Sequence, residues 1–141
     1  MRKWLLTFIT LSLILAAGII YALPYVKMAF ASSAIYTERD KREYNYYTPE
    51  LLKKIPKISQ KYYFRFSNIS GPQAFVYSIT FEEATDTSPI RDYLLAQGYE
   101  LQKTCNVEAE CWKAAYSNDI VTVGKITDPD IVLVEICVDN F

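Results

Sequence analysis

The stretch MRKWLLTFITLSLILAAGIIYALPYVK opens with two cations, and no further charge appears until Lys27. Its apolar run from Trp4 to Leu23 is 20 residues long. At about 1.5 Å per helical residue, that length matches the ~30 Å hydrocarbon core of a bilayer. The run is expected to contact the membrane through residues 4–23, with Pro24 ending or kinking the helix. A cleaved signal peptide is the rival reading, but its apolar region is shorter and ends close to a small-x-small site. The only tidy site, Ala29-Phe30-Ala31, lies well beyond Leu23 and behind a lysine. No cysteine stands near the end of the run, which excludes a lipoprotein signal.

The expected organisation is therefore a transmembrane signal anchor over residues 1–24, a basic juxtamembrane neck over 25–57 and a head over 58–141. Arg2 and Lys3 argue for a cytoplasmic N-terminus, while Lys27, Arg39, Lys41 and Arg42 after the span argue the other way. Charge also divides the rest of the chain. From Tyr36 to Arg65, eight basic residues face four acidic ones, whereas from Phe66 onwards four basic residues face twelve carboxylates. An acidic head repels phosphates, which argues against nucleic acid and for a basic partner.

In the neck, Thr48-Pro49-Glu50 has the form of a helix start, with threonine as N-cap and proline in the first turn. Tyr44, Tyr46 and Tyr47 beside it either rest at a membrane interface or pack on the head, and packing is favoured. In the head, KYYFRFSN (61–68) and QAFVYSITFE (73–82) are aromatic and β-branched, as two strands of a hairpin turning at Ser70-Gly71-Pro72. Phe75, Tyr77, Ile79 and Phe81 alternate with Ser78 and Thr80, the pattern of a half-buried strand. Then TSPIRDYLLAQG predicts a helix capped by Ser88 and ended by a left-handed Gly98, burying Ile90, Tyr93 and Leu94. YELQKT resumes as strand. DIVTVGKI and IVLVEICV form a last hairpin around Thr127-Asp128-Pro129-Asp130. The expected fold class is α+β: after the transmembrane helix, a small antiparallel sheet packed on one helix, in the order β-β-α-β-β-β.

Cys105 and Cys111 are read as a disulfide. Zinc would need four ligands, and the chain has three cysteines and no histidine. A nucleophilic thiol would need a nearby base or cation, for which Lys103 and Lys113 are weak candidates. A bond across so short a loop is expected to stabilise the head by roughly 2–2.5 kcal/mol in the chain-entropy model. It also points to an oxidising compartment, and so to a head outside the cytoplasm. Cys137 is expected either as a small residue buried at the sheet or as an alternative partner for one of the other two.

The lack of histidine removes the commonest general base and metal ligand together. No motif for phosphate binding or nucleophilic catalysis is present. Glu82 and Glu83 are adjacent in a strand and point to opposite faces, so they do not converge as an acid/base pair. No enzyme activity, metal, cofactor or small-molecule substrate is expected. The overall plan is similar to that of type IV pilins. However, Phe8 follows Thr7 rather than glycine, and no acidic residue occurs before Glu38, so that family's processing motif is missing.

The expectation is a single-pass protein of the inner (plasma) membrane, with the N-terminus cytoplasmic and the head periplasmic or extracytoplasmic. Its head would bind another protein, in the sharper form as an inhibitor or immunity protein against an envelope-acting toxin. Candidate contacts are Glu82, Glu83, Asp86, Glu108, Glu110 and Asp119, with Trp112 as an aromatic anchor. The alternative is a structural or assembly subunit of an envelope complex.

Overall fold

The computed structural model describes residues 1–71, 73–105 and 107–139. It comprises two compact units, Met1–Ala31 and a second beginning at Ser32.

The first unit is helix α1, Arg2–Ala29. No residue of its apolar window is buried, so it is long and apolar enough to cross a membrane and is not a core helix. The hydroxyls of Thr7 and Thr10 donate back to the carbonyls of Lys3 (2.6 Å) and Thr7 (2.9 Å). Both polar groups are thereby satisfied within the helix, as hydrocarbon requires. Of the two outcomes expected at Pro24, the helix does not end there but continues to Ala29 with the proline inside it. A proline removes one ladder bond. The next turns are still held, with the Phe30 N–H donating to the Val26 carbonyl at 3.2 Å.

The second unit contains β1 (Ser33–Tyr36), α2 (Lys41–Tyr47), α3 (Glu50–Lys53), β2 (Tyr62–Ile69) and β3 (Ala74–Glu82). It continues through α4 (Ser88–Ala96), β4 (Tyr99–Leu101), β5 (Glu110–Ala114), β6 (Ile120–Thr127) and β7 (Asp130–Asp139). All strands join one seven-stranded antiparallel sheet, ordered β1-β2-β3-β7-β6-β5-β4. Two meanders meet in its middle. After β3 the chain crosses through α4 to the far edge and then walks back strand by strand until β7 pairs with β3.

The mixed α+β character is as expected, but the order of elements differs. Two strands were not foreseen. β1 lies in the stretch read as neck, and β5 lies in the stretch read as a cysteine loop. Residues 33–57 thus belong to the folded head. The β6–β7 turn closes at the expected place, with Thr127 opposite Asp130. Pro72, in the expected β2–β3 turn, lies outside the described residues.

Residues directly opposite one another in register share a face. Phe64, Ile79, Val134 and Val123 form one such row, and Phe66, Tyr77, Ile136, Val121 and Trp112 form the next. The helices cover this face. Tyr47 of α2 stacks on Phe66 with ring centroids 4.4 Å apart, and Tyr44 meets Phe64 edge-on at 5.3 Å. Tyr93 of α4 donates to the Leu51 carbonyl at 2.9 Å, while Ile90 and Leu94 are fully buried. Tyr44 and Tyr47 of the neck therefore pack on the head, while Tyr46 lies edge-on to Tyr47 and is 46% exposed. Lys57 completes the join: its ammonium lies over the rings of Tyr62 and Phe64, donates to the Ile55 carbonyl at 3.2 Å and sits 3.7 Å from Glu38.

Two local expectations are corrected. Thr48 does not begin a helix as its N-cap but ends α2 as its C-cap, and Pro49 holds the N-cap position of α3. The Thr48 hydroxyl instead donates to the buried Tyr36 oxygen at 3.1 Å. Burial pushes the Tyr36 phenol up to about 12, a shift that the Thr48 hydrogen bond partly opposes. Ser88 likewise does not cap α4, since Thr87 holds the N-cap position and the Ser88 N–H donates to Asp86. Thr48→Val keeps the shape and removes the donor to a buried oxygen. It is expected to cost about 1–2 kcal/mol, measured as the shift in a urea unfolding midpoint.

Candidate functional site

The fold gathers most of the candidate carboxylates at one end of the sheet. β3 ends at Glu82, the β6–β7 turn carries Asp128 and Asp130, and the chain before β5 carries Glu108. The strands are antiparallel and β1 starts at the opposite end, so this acidic end lies away from where the chain joins the sheet. A shallow groove of about 400 Å³ there is lined by Glu82, Glu83, Pro129, Asp130 and Ile131. Asp119, placed just before β6, stands at the other end.

The carboxylates are not equivalent. Glu83 pairs with Lys61, and its φ of +54° holds it in the left-handed region, which costs a non-glycine residue some strain. Both oxygens of Glu110 are taken by Arg91, whose Nε lies 3.0 Å from Oε2. Asp86 accepts the Ser88 N–H at 3.0 Å, and that bond holds its carboxyl below the usual range. Glu82 and Glu108 are exposed and make no ion pair among the described residues. Trp112 cannot act as a surface anchor in this conformation. It is 3% exposed, on the helix-covered face, and its indole N–H has no acceptor among the described residues.

Cys105 and Cys111 are bonded, with Cα atoms 5.5 Å apart. Cys137 lies in β7 outside that bond, opposite Val76 on one side and Ile120 on the other. Just before β5, the Ala109 methyl lies 4.0 Å from the position a Cβ on Gly124 would take.

Sequence reasoning missed the second candidate, the sheet face opposite the helices. One row across it reads Ile35, Arg65, Ser78, Glu135, Thr122 and Cys111. Around it stand Tyr63, Val76, Leu133 and Cys137, all half-buried, with Ile120 and Ile126 more open. Strand β3 was expected to be half-buried, yet Ser78 is 4% and Thr80 is 8% exposed. Each is shielded by larger neighbours on β2 and β7, namely Arg65 and Glu135 beside Ser78, and Tyr63 and Leu133 beside Thr80. The signal in the sequence was β7 itself: IVLVEICV is apolar at nearly every position, the pattern of a strand with two buried faces.

Glu135 sits near the centre of this face, and burial pushes its carboxyl above the usual range, with Arg65 opposing. A carboxyl raised on folding binds its proton more tightly in the folded state. Its cost to stability is therefore absent at acid pH and grows as pH rises from the unfolded value through the raised one. Glu135→Gln is expected to flatten that decline and to raise stability at neutral pH, read from unfolding midpoints between mildly acidic and neutral pH.

A hollow of about 810 Å³ is lined by Met1, Arg2, Trp4, Leu5 and Phe8 of α1 and is the open side of one helix. The fold and its two surfaces define an α+β head with an N-terminal helix of membrane-spanning length. No family model, curated protein or solved structure matches the chain.

Proposed function

We propose that this is a single-pass membrane-anchored protein whose disulfide-bonded head works outside the cytoplasm by binding a basic protein partner. In its sharper form it is an inhibitor or immunity protein against an envelope-acting toxin. The reading is one of binding rather than catalysis. The observation that carries it is the acidic end of the sheet, where Glu82 and Asp130 line one groove and Asp128 and Glu108 stand at the same end, opposite the end at which the chain joins. Carboxylates so placed steer a basic surface by long-range attraction and contribute to encounter rate and selectivity. Glu83, Asp86 and Glu110 serve that surface less directly, because each already has a partner. Trp112 and Asp119 are not part of it.

Two measurements test the reading. In intact cells, an impermeant maleimide applied to the full chain carrying Cys137→Ser should label only after reduction. Labelling that needs opened cells but no reductant would put the head in the cytoplasm and end this proposal. A photo-crosslinker at Glu82 or Glu108 should then capture a basic protein, with a yield that falls as salt rises. A yield indifferent to salt and to Glu108→Lys would remove the electrostatic part. The second reading, an assembly subunit, is supported by the sheet face that no described helix of the head covers. Exchanging α1 for an unrelated span should abolish function in that case and spare it in the first.

A further inference from the structure

The open face of the sheet is built in matched halves about β3. Arg65 and Glu135 flank Ser78, Tyr63 and Leu133 flank Thr80, and Ser67 and Cys137 flank Val76. The β2 half supplies the cation and the β7 half the anion. Within the head no described helix covers this face, because α2, α3 and α4 all pack on the other side.

We infer that this face is a two-fold interface between two copies of the chain, stacked sheet on sheet about an axis running along β3. About that axis, each β2 residue of one copy lies over the β7 residue of the same row in the other. Arg65 then meets Glu135 of the second copy, and Glu135 meets its Arg65. Tyr63 meets Leu133, while Val76, Ser78 and Thr80 each meet their own counterpart. Sheets stacked about 10 Å apart leave room for an arginine to reach a carboxylate across the gap.

Three features favour a second copy as the occupant. Under this symmetry Cys111 of β5, which carries the disulfide on this face, falls outside the other copy's edge strand β1, and Ala109, against Gly124 of β6, lies one row past Tyr36, the last residue of β1. The points where the two chains join their sheets, at Ser33, come to the same end of the pair, as two chains anchored in one bilayer require. An axis along the Arg65–Glu135 row instead would set Arg65 against itself and put those points at opposite ends. Where the two sheets overlap, β3 on itself, β2 on β7 and β1 on β6 offer about 500 Å² in plan, of the order of the ~800 Å² of accessible surface per partner in a standard stable interface. The orientation argument rests on the anchored reading; the interface itself does not.

The test uses the full chain in its own membrane. Val76→Cys in a Cys137→Ser background, treated with a short bis-maleimide, should give a band at twice the chain mass, and Lys54→Cys on the helix side should not. R65E or E135R alone sets like charges together and is expected to reduce that band about tenfold or more. Co-expression of R65E with E135R should restore it, because each chain then supplies the charges the other lacks. An ion pair within one chain cannot be rescued by mixing. Absence of the Val76 band, equal bands at both positions, or an adduct with a different protein at Val76 would overturn the inference. Failure of the mixture to recover, with the Cys105–Cys111 bond intact in both chains, would overturn the register. A head that is monomeric here yet still captures a partner from Glu82 would leave the proposed function standing.

Discussion

Phe64→Ala is expected to destabilise the head by about 3–5 kcal/mol, the range for deleting a fully buried aromatic ring. A domain of this size has only about 5–15 kcal/mol in hand, so the variant should sit close to unfolding at ordinary temperature. The effect is large because one ring joins several elements. Phe64 is completely buried and meets Tyr36 of β1 face to face, Tyr44 of α2 edge-on and Tyr62 of its own strand. The Lys57 ammonium caps it at 5.7 Å. Removing the ring leaves a cavity at the junction of β1, α2 and the chain leading into β2. The check is a guanidinium or urea midpoint, with Phe75→Ala on the half-buried rim as the milder control. A loss below about 1 kcal/mol would mean that residues 33–57 are only loosely attached, as a tether would be.

The second large effect concerns the span. Leu13→Arg with Ile14→Arg puts two cations near the middle of the apolar run, at an insertion cost of about 5–7 kcal/mol on the translocon scale. The protein is expected to move from the alkali-resistant membrane pellet to the extractable fraction. The head should then remain reduced, and once oxidised in vitro it should recover the unfolding midpoint of the intact chain, since it is a separate unit. Retention in the pellet would show that something other than the span holds the protein there.

Several elements were readable from neighbouring residues because their causes are local. The 20-residue apolar run, the two hairpins, the α4 stripe of Ile90 and Leu94 and the left-handed Gly98 (φ +82°) all follow from periodicity or turn chemistry. Cys105 and Cys111 were also paired correctly, since a short loop leaves few alternatives. Strand β1 was not readable: SAIY is four residues long and becomes a strand only because β2 offers it an edge. Thr48 was misread for a similar reason. Its local context matches a helix cap, but a buried phenol from β1 offers its hydroxyl a better-placed partner.

The sites divide along the same line. The acidic character of the head was visible in composition, but composition gives no positions. The fold decided that Glu82, Glu108 and Asp130 share one end, that Asp119 stands at the other, that Arg91 occupies Glu110, and that Trp112 belongs to the core. It also placed Arg65, Ser78 and Glu135 in one row, although they come from three strands spread along the chain. What the sequence determined by itself was the long apolar N-terminal helix, the α+β class, the disulfide and the acidic balance, because each depends on residues near one another or simply on their number. What only the tertiary structure decided was strand order and register, and with them both candidate surfaces. The pairing of β3 with β7 joins segments some fifty residues apart, and no local pattern in either strand names its partner.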